Sequence, residues 1–158
     1  MAYLLRHPLG YLWSSPNSLV ALTLALPLWL LSRMLGRPTA SEPAALRWHT
    51  GVLEASGGLI ASVLRRAPTS GTLRRPGGAA ALTLGHVVFA VDRRTADRTR
   101  RHERVHVRQY ERWGPLFLPA YLLATWSATR RGESGYYANR FEREAYAVSH
   151  PGRFPTNV

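Results

Sequence analysis

A long apolar run near the N-terminus is the most regular feature of the chain. No charged residue interrupts residues 8–32, and the segment 19–31 (LVALTLALPLWLL) is almost wholly apolar. With Asn17 as a capping residue before it and Gly36 after it, this pattern predicts a helix over 18–35. Such a helix is about 27 Å long, close to the thickness of a bilayer core. Because it is apolar on every face, membrane attachment and burial in an enclosed core both remain open.

The rest of the chain alternates strand-like and helical patterns. Strands are predicted at 47–55, with a bulge at Gly51, and at 80–91, where Gly85 breaks the segment into one strand or a pair. Helices are predicted at 59–66, 99–113, 116–128 and 136–149. The connections are a linker at 37–46, a loop at 67–79 and a charged turn at 92–98. The expected fold class is α+β, with an apolar N-terminal helix and linker at 1–46 and a folded domain at 47–158.

Composition restricts the chemistry more than the fold. The 158 residues suffice for one core, and 46% of them are hydrophobic, which excludes a disordered chain. There is no cysteine, so any metal must be held by His, Asp or Glu. The net charge of +12 comes from arginine alone. Such charge suits nucleic acid, an anionic membrane or an acidic partner, but aromatic residues do not alternate with these arginines as a nucleic-acid stacking surface requires.

The segment RHERVH at 101–106 carries the clearest chemical signal. His102 and His106 are four positions apart, so on a helix their imidazoles share one face and converge on one ion. Glu103 lies about 100° around the helix from His102, where a carboxylate acts on metal-bound water rather than as a ligand. Gln109 continues the histidine face. The pattern therefore predicts a zinc site on a helix.

Two histidines need a third protein ligand. His49, His86 and His150 are alternatives, and a downstream carboxylate is another. Glu142 and Glu144 lie on the last predicted helix, about 200° apart, so only one of them can face the metal. Glu142 shares its face with small residues that permit close helix packing, and it is therefore the expected ligand.

The stretches LGHVVFAVD, RHERVHVRQYERWGP and NRFEREA together resemble the gluzincin branch of zinc-dependent metallopeptidases and small bacterial proteins of that kind. The resemblance covers residues 80–146. It implies a small zincin-like domain in which His102, His106 and Glu142 bind Zn²⁺ and Glu103 is the general base. Gluzincins also use a His or Tyr to stabilise the oxyanion. The candidates here are Tyr110, Tyr136, Tyr137 and Tyr146.

The expected function is zinc-dependent hydrolysis of a peptide or protein substrate, with nucleic acid the least favoured partner. The alternative is a non-catalytic, zinc-stabilised scaffold that binds a protein partner or a membrane. Membrane contact, if made, would use residues 18–35. The arginine excess after residue 33 favours the cytoplasmic side of the membrane, or the cytoplasm, of a bacterium.

Overall fold

The computed structural model describes residues 8–35, 42–67 and 78–151. The elements in these ranges, in chain order, are α1 (Pro8–Met34), β1 (Ala45–His49), β2 (Val52–Ser56), α2 (Gly58–Arg66), β3 (Ala81–Leu84), β4 (Val87–Ala90), α3 (Arg93–Trp113), a 3-10 turn (Gly114–Leu116), α4 (Phe117–Arg130) and α5 (Arg140–Ser149). The expected α+β class and apolar N-terminal helix are confirmed. Half of the predicted linker (37–41) and most of the predicted loop (68–77) lie outside the described residues.

The four strands form one mixed sheet in the order β1-β2-β4-β3. The outer pairs are antiparallel hairpins, and the central pair, β2 and β4, is parallel. The segment predicted as one strand with a bulge at Gly51 is in fact the first hairpin. Thr50 and Gly51 have φ values of 42° and 76°, and two consecutive left-handed residues reverse the chain in a tight turn.

The charged segment 92–98, predicted as a turn, instead forms the cap and the first residues of α3. Asp92 caps α3 by accepting a hydrogen bond from the backbone N of Thr95 at 2.6 Å, so the helix begins at Arg93. Further along α3, Arg100 donates to the buried carboxylate of Glu54 on β2 at 2.7 Å. This bond fixes the helix against the sheet.

The N-terminal helix begins earlier than predicted, because Pro16 lies inside it instead of before it. Proline lacks the N–H that would bond the carbonyl of Leu12. The hydroxyl of Ser15 donates to that carbonyl at 2.7 Å and satisfies it. By length and composition α1 could cross a membrane, with a mean hydropathy of 1.3 in its best window.

One face of α1 belongs to the core of the domain. Ala21 and Ala25 are fully buried and pack in one cluster with Ala55 of β2 and Ile60 of α2. The predicted division between residues 46 and 47 falls within β1. A second cluster, around Tyr110, Phe117 and Phe141, joins α3, α4 and α5. Packing of this aromatic cluster brings the predicted ligands together.

Candidate metal centre

The first two candidate ligands lie one turn apart on α3. His102 and His106 are 8% and 7% exposed, and their Nε2 atoms are 3.1 Å apart. The spacing of four residues puts both rings on the face that α3 turns toward α5. Both imidazoles are therefore buried at a helix–helix interface instead of on an arginine-rich surface.

Glu142 enters the same interface from α5. The helix begins at Arg140, later than predicted, because Asn139 caps it by accepting from the backbone N of Phe141 at 2.9 Å. The Glu142 carboxylate oxygens lie 3.1 Å from Nε2 of His102 and 3.4 Å from Nε2 of His106. One ligand atom from each of the three residues falls within 4.8 Å of the others. Buried and convergent, the three are close enough to hold a metal ion.

Gln109 fixes the tautomer of His106. Its Nε2 donates to the carbonyl oxygen of Phe141 at 3.0 Å and to Glu144 at 2.9 Å. Its Oε1 is consequently turned toward Nδ1 of His106, 2.8 Å away, and can only accept. Nδ1 therefore carries a proton, and in the neutral ring Nε2 is left as the metal-binding nitrogen.

His102 is oriented in the same way by α5. The hydroxyl of Ser149 donates to the carbonyl of Ala145 at 2.8 Å, and its oxygen lies 3.5 Å from Nδ1 of His102. Nδ1–H can donate to this oxygen, which again leaves Nε2 toward the centre. The ring also packs edge-on against Tyr146, with centroids 4.8 Å apart.

His106 and Glu142 each shift the pKa of the other. Burial alone lowers the pKa of His106, but the hydrogen bond and charge of Glu142, with the charge of Glu103, raise it to about 9. Burial alone would raise the pKa of Glu142, but hydrogen bonds from His102 and His106 hold it well below its usual range. Without a metal, the centre is thus an imidazolium–carboxylate pair.

Glu103 lies beside this triad and not in it. It is 6% exposed, and its Oε2 accepts a hydrogen bond from the Thr83 hydroxyl of β3 at 2.7 Å. Within the described ranges no hydrogen bond reaches its other oxygen, Oε1. A buried carboxylate with one oxygen fixed and the other available can exchange a proton at that second oxygen.

Tyrosines surround the ligands. Tyr121 on α4 donates its hydroxyl to Oε1 of Glu142 at 2.7 Å. Burial and the charge of Glu142 raise the pKa of Tyr136, and burial raises that of Tyr146. Of the predicted candidates, these two are near Glu142, whereas Tyr110 packs on Phe117 in the second core cluster.

The alternative histidine ligands have other partners. His86 bonds Ser14 and Ser18 of α1 through Nδ1, and Glu111 through Nε2. His49 bonds Arg104 and Thr50. His150 is exposed and bonds Ser149. The only predicted ligands that the described chain brings together are His102, His106 and Glu142.

Two contributors were not predicted from the sequence. Tyr121 and Thr83 reach the site from α4 and β3, and their positions depend on how those elements pack. The position of Gln109 on the histidine face was predicted, but its contact with His106 was not. The spacing of three residues between the two is a signal that could have indicated it.

The chain was compared with protein-family models, with curated proteins and with solved structures, and none of them matches. The likeness to gluzincins therefore rests on the motif residues themselves.

Proposed function

We propose that the chain binds one zinc ion through His102, His106 and Glu142. Two imidazoles and one carboxylate are a ligand set that zinc accepts, with ligand distances of about 2.0–2.1 Å. Tetrahedral ligands at that distance are about 3.3–3.4 Å from one another. Here the two Nε2 atoms are 3.1 Å apart, and each lies 3.1–3.4 Å from one of the two carboxylate oxygens of Glu142. The protonated Nδ1 of His106 supports the same assignment, because it leaves Nε2 for the metal.

We propose further that the centre hydrolyses peptide bonds. Zinc in such a site lowers the pKa of water and polarises a carbonyl group. Glu103 would accept a proton at Oε1 and deliver it to the leaving amine, while Thr83 holds Oε2 in place. The raised pKa values keep Tyr136 and Tyr146 protonated, so either phenol could donate a hydrogen bond to a developing oxyanion.

The observation that carries the proposal is the buried triad with Glu103 next to it in sequence and bonded to Thr83. The first test is elemental analysis of the purified chain, which should contain one zinc per molecule. A variant with His102→Ala and His106→Ala should contain none. Absence of stoichiometric zinc after zinc-supplemented expression would refute the metal assignment.

The second test separates catalysis from metal binding. Glu103→Gln should retain zinc but lose cleavage of fluorogenic casein by about a hundredfold or more, because it removes the general base. Glu133→Gln is the matched control, since it neutralises an exposed carboxylate paired with Arg131. Equal cleavage by wild type and Glu103→Gln would refute the assigned base.

A zinc-stabilised scaffold is the second candidate function. The observation that favours it is burial, because each ligand residue is less than 10% exposed, as expected for a closed structural site. In that case wild type and Glu103→Gln both bind zinc and neither cleaves the substrate. Removing zinc would then lower the thermal stability of the chain, and there would be no cleavage for it to affect.

A further inference from the structure

The polarity of α1 is reversed relative to a water-soluble surface helix. Along the side facing the domain, the fully buried residues are small, Ser14, Ala21 and Ala25, and the partly buried Leu22 and Leu28 pack beside them. The outward side carries large apolar residues that are 47–74% exposed: Leu9, Leu12, Trp13, Leu19, Val20, Leu24, Leu26, Leu30, Leu31 and Met34. A helix at a water interface has the opposite arrangement. The outward side of α1 therefore matches a hydrocarbon environment.

The inward side of α1 is bonded to the domain along the whole helix. Tyr11 donates to the carbonyl of Gly51 at 3.1 Å, and Asn17 donates to that of Gly114 at 3.0 Å. Near the other end, Ser32 accepts from the backbone N of Leu59 at 2.9 Å. A helix surrounded by lipid would have to break these bonds and expose the core cluster. The fold therefore leaves only one side of α1 available to lipid.

α4 presents a second face of the same character. Its inward side carries Phe117 and Tyr121, which line the core and the metal centre. Its outward side, with the preceding turn, exposes Leu116, Leu118, Leu122, Leu123 and Trp126. α1 contacts the 3-10 turn that leads into α4, where the ring of Trp13 lies too close to Gly114 to leave room for a side chain there.

The charged residues within α1 and α4 have one sign. Neither helix contains an acidic residue, and each has an arginine in its last turn, Arg33 and Arg130. The guanidinium of Arg130 lies 5.0 Å from the centroid of the Trp126 ring. Tryptophan and arginine at the border of an apolar face are typical of helices that lie in the headgroup region. The border thus complements an anionic lipid surface.

From this we infer that the outward faces of α1 and α4 form one surface that binds in the plane of an anionic bilayer without crossing it. This surface requires no metal at the His102 centre. Its occupant is lipid, because α1 and α4 combine apolar exposure with arginine as their only charged residue. A second copy of the chain would instead bring together two chains of net charge +12.

Binding is tested by flotation of the full chain with vesicles. Protein in mild detergent is diluted into vesicles of phosphatidylcholine alone, or of phosphatidylcholine mixed with phosphatidylglycerol. We expect co-flotation, with partition increased about fivefold for each arginine near the anionic surface. Failure to float with either vesicle, or a dimer that no longer binds them, would overturn the inference.

Two exposed tryptophans provide a matched pair of variants. Trp126 on α4 is 57% exposed and Trp48 on β1 is 67% exposed, but only the first lies on the proposed surface. Trp126→Gln combined with Leu122→Gln should weaken partition about tenfold or more, whereas Trp48→Gln should leave it unchanged. Unchanged thermal unfolding of both variants confirms that the fold is retained. Equal losses from the two variants would argue against the surface.

The orientation of α1 can be tested by thiol labelling, because the chain has no cysteine. Leu9→Cys and Met34→Cys place single thiols at exposed positions near the two ends of the helix, 72% and 74% exposed. On vesicle-bound protein both thiols should react with an impermeant maleimide more slowly than without vesicles, and to the same extent, because lipid covers the whole outward face. If α1 instead crosses the bilayer, one end of each molecule reacts at the rate seen without vesicles and the other end does not react.

Discussion

The described part of the chain contains two buried histidine clusters, and each includes a glutamate. In the first, His86 has a different partner at each ring nitrogen, with Ser14 and Ser18 at Nδ1 and Glu111 at Nε2, 3.0 Å away. Its ring also stacks on Tyr11, with centroids 4.0 Å apart. These contacts connect α1 to the β3–β4 turn and to α3.

In the second cluster, formed by His102, His106 and Glu142, the Nε2 atoms of both histidines lie next to the same carboxylate. His102 and His106 present Nε2 to each other and to Glu142, while each Nδ1 faces a side-chain oxygen that can accept a hydrogen bond. A buried histidine with a carboxylate is thus not in itself a metal site. The difference is convergence, since two rings and a carboxylate share one small volume only in the second cluster. Zinc affinity measured in single variants tests this distinction.

The largest expected effect is from Glu142→Ala. Removing the carboxylate leaves two imidazoles, which hold zinc poorly, so affinity should fall by more than about a hundredfold. Chelator competition measures it. Glu144→Ala is the control on the same helix. Its carboxylate is 40% exposed and contacts the site only through Gln109, so affinity should change only a few fold. The reverse result would show that the ligand assignment is wrong.

Gln109→Met should have the next largest effect. The methionine keeps the volume of this fully buried side chain but removes the acceptor of His106 Nδ1–H. Loss of a contact that orients a ligand typically lowers metal affinity about 10- to 100-fold. The same competition assay measures it, with Gln109→Glu as the variant that restores an acceptor. Identical affinity in wild type and Gln109→Met would show that the helix alone orients His106.

The pH dependence should differ between metal-free and metal-bound protein. The pKa of His106 is raised from 6.5 to about 9, because Glu142 outweighs the effect of burial. This pair stabilises the metal-free fold fully between about pH 4.5 and pH 6.5; the stability is lost as pH rises through about 9 and as pH falls through the lowered pKa of Glu142. Zinc must displace the same proton, so affinity should rise about tenfold per pH unit up to about pH 9. Chelator competition and metal-free melts across this range measure both.

A flat affinity profile between pH 7 and pH 9 would show that His106 is already neutral in the metal-free protein. In Glu142→Gln the raised pKa should be lost, because the charge that causes it is removed. Any remaining pH dependence should then move toward the ordinary imidazole range.

Helical periodicity explains why the triad could be predicted. The spacing of four between His102 and His106 fixes their common face on any helix. The helical phase likewise distinguished Glu142 from Glu144, and the structure places Glu142 at the centre and Glu144 toward Gln109 and Arg112. These relations are local, so they hold however the helices pack.

The parts that could not be predicted depend on packing or on single side-chain bonds. Tyr121 and Thr83 reach the site only because α4 and β3 dock beside α3. The early start of α3 depends on one bond to Asp92, and the passage of α1 through Pro16 depends on Ser15. Residue propensities are averages over many contexts and do not contain such individual contacts.

The smallest expected effect on zinc affinity comes from changing the first cluster. His86→Ala removes one hydrogen-bond partner of Glu111 and of each of the two α1 serines, all of them at least half-buried. The free energy of unfolding should fall by about 2–4 kcal/mol, because buried polar groups lose their hydrogen bonds. Zinc affinity should stay within about twofold of wild type, since His86 bonds none of the three ligands.

His102→Ala, which also removes a buried histidine, should by contrast abolish tight binding. Urea unfolding of the metal-free proteins, with chelator competition beside it, separates the two effects. If His86→Ala also lost zinc, the clusters would be coupled through α3, and convergence of ligand atoms would not be enough to distinguish them.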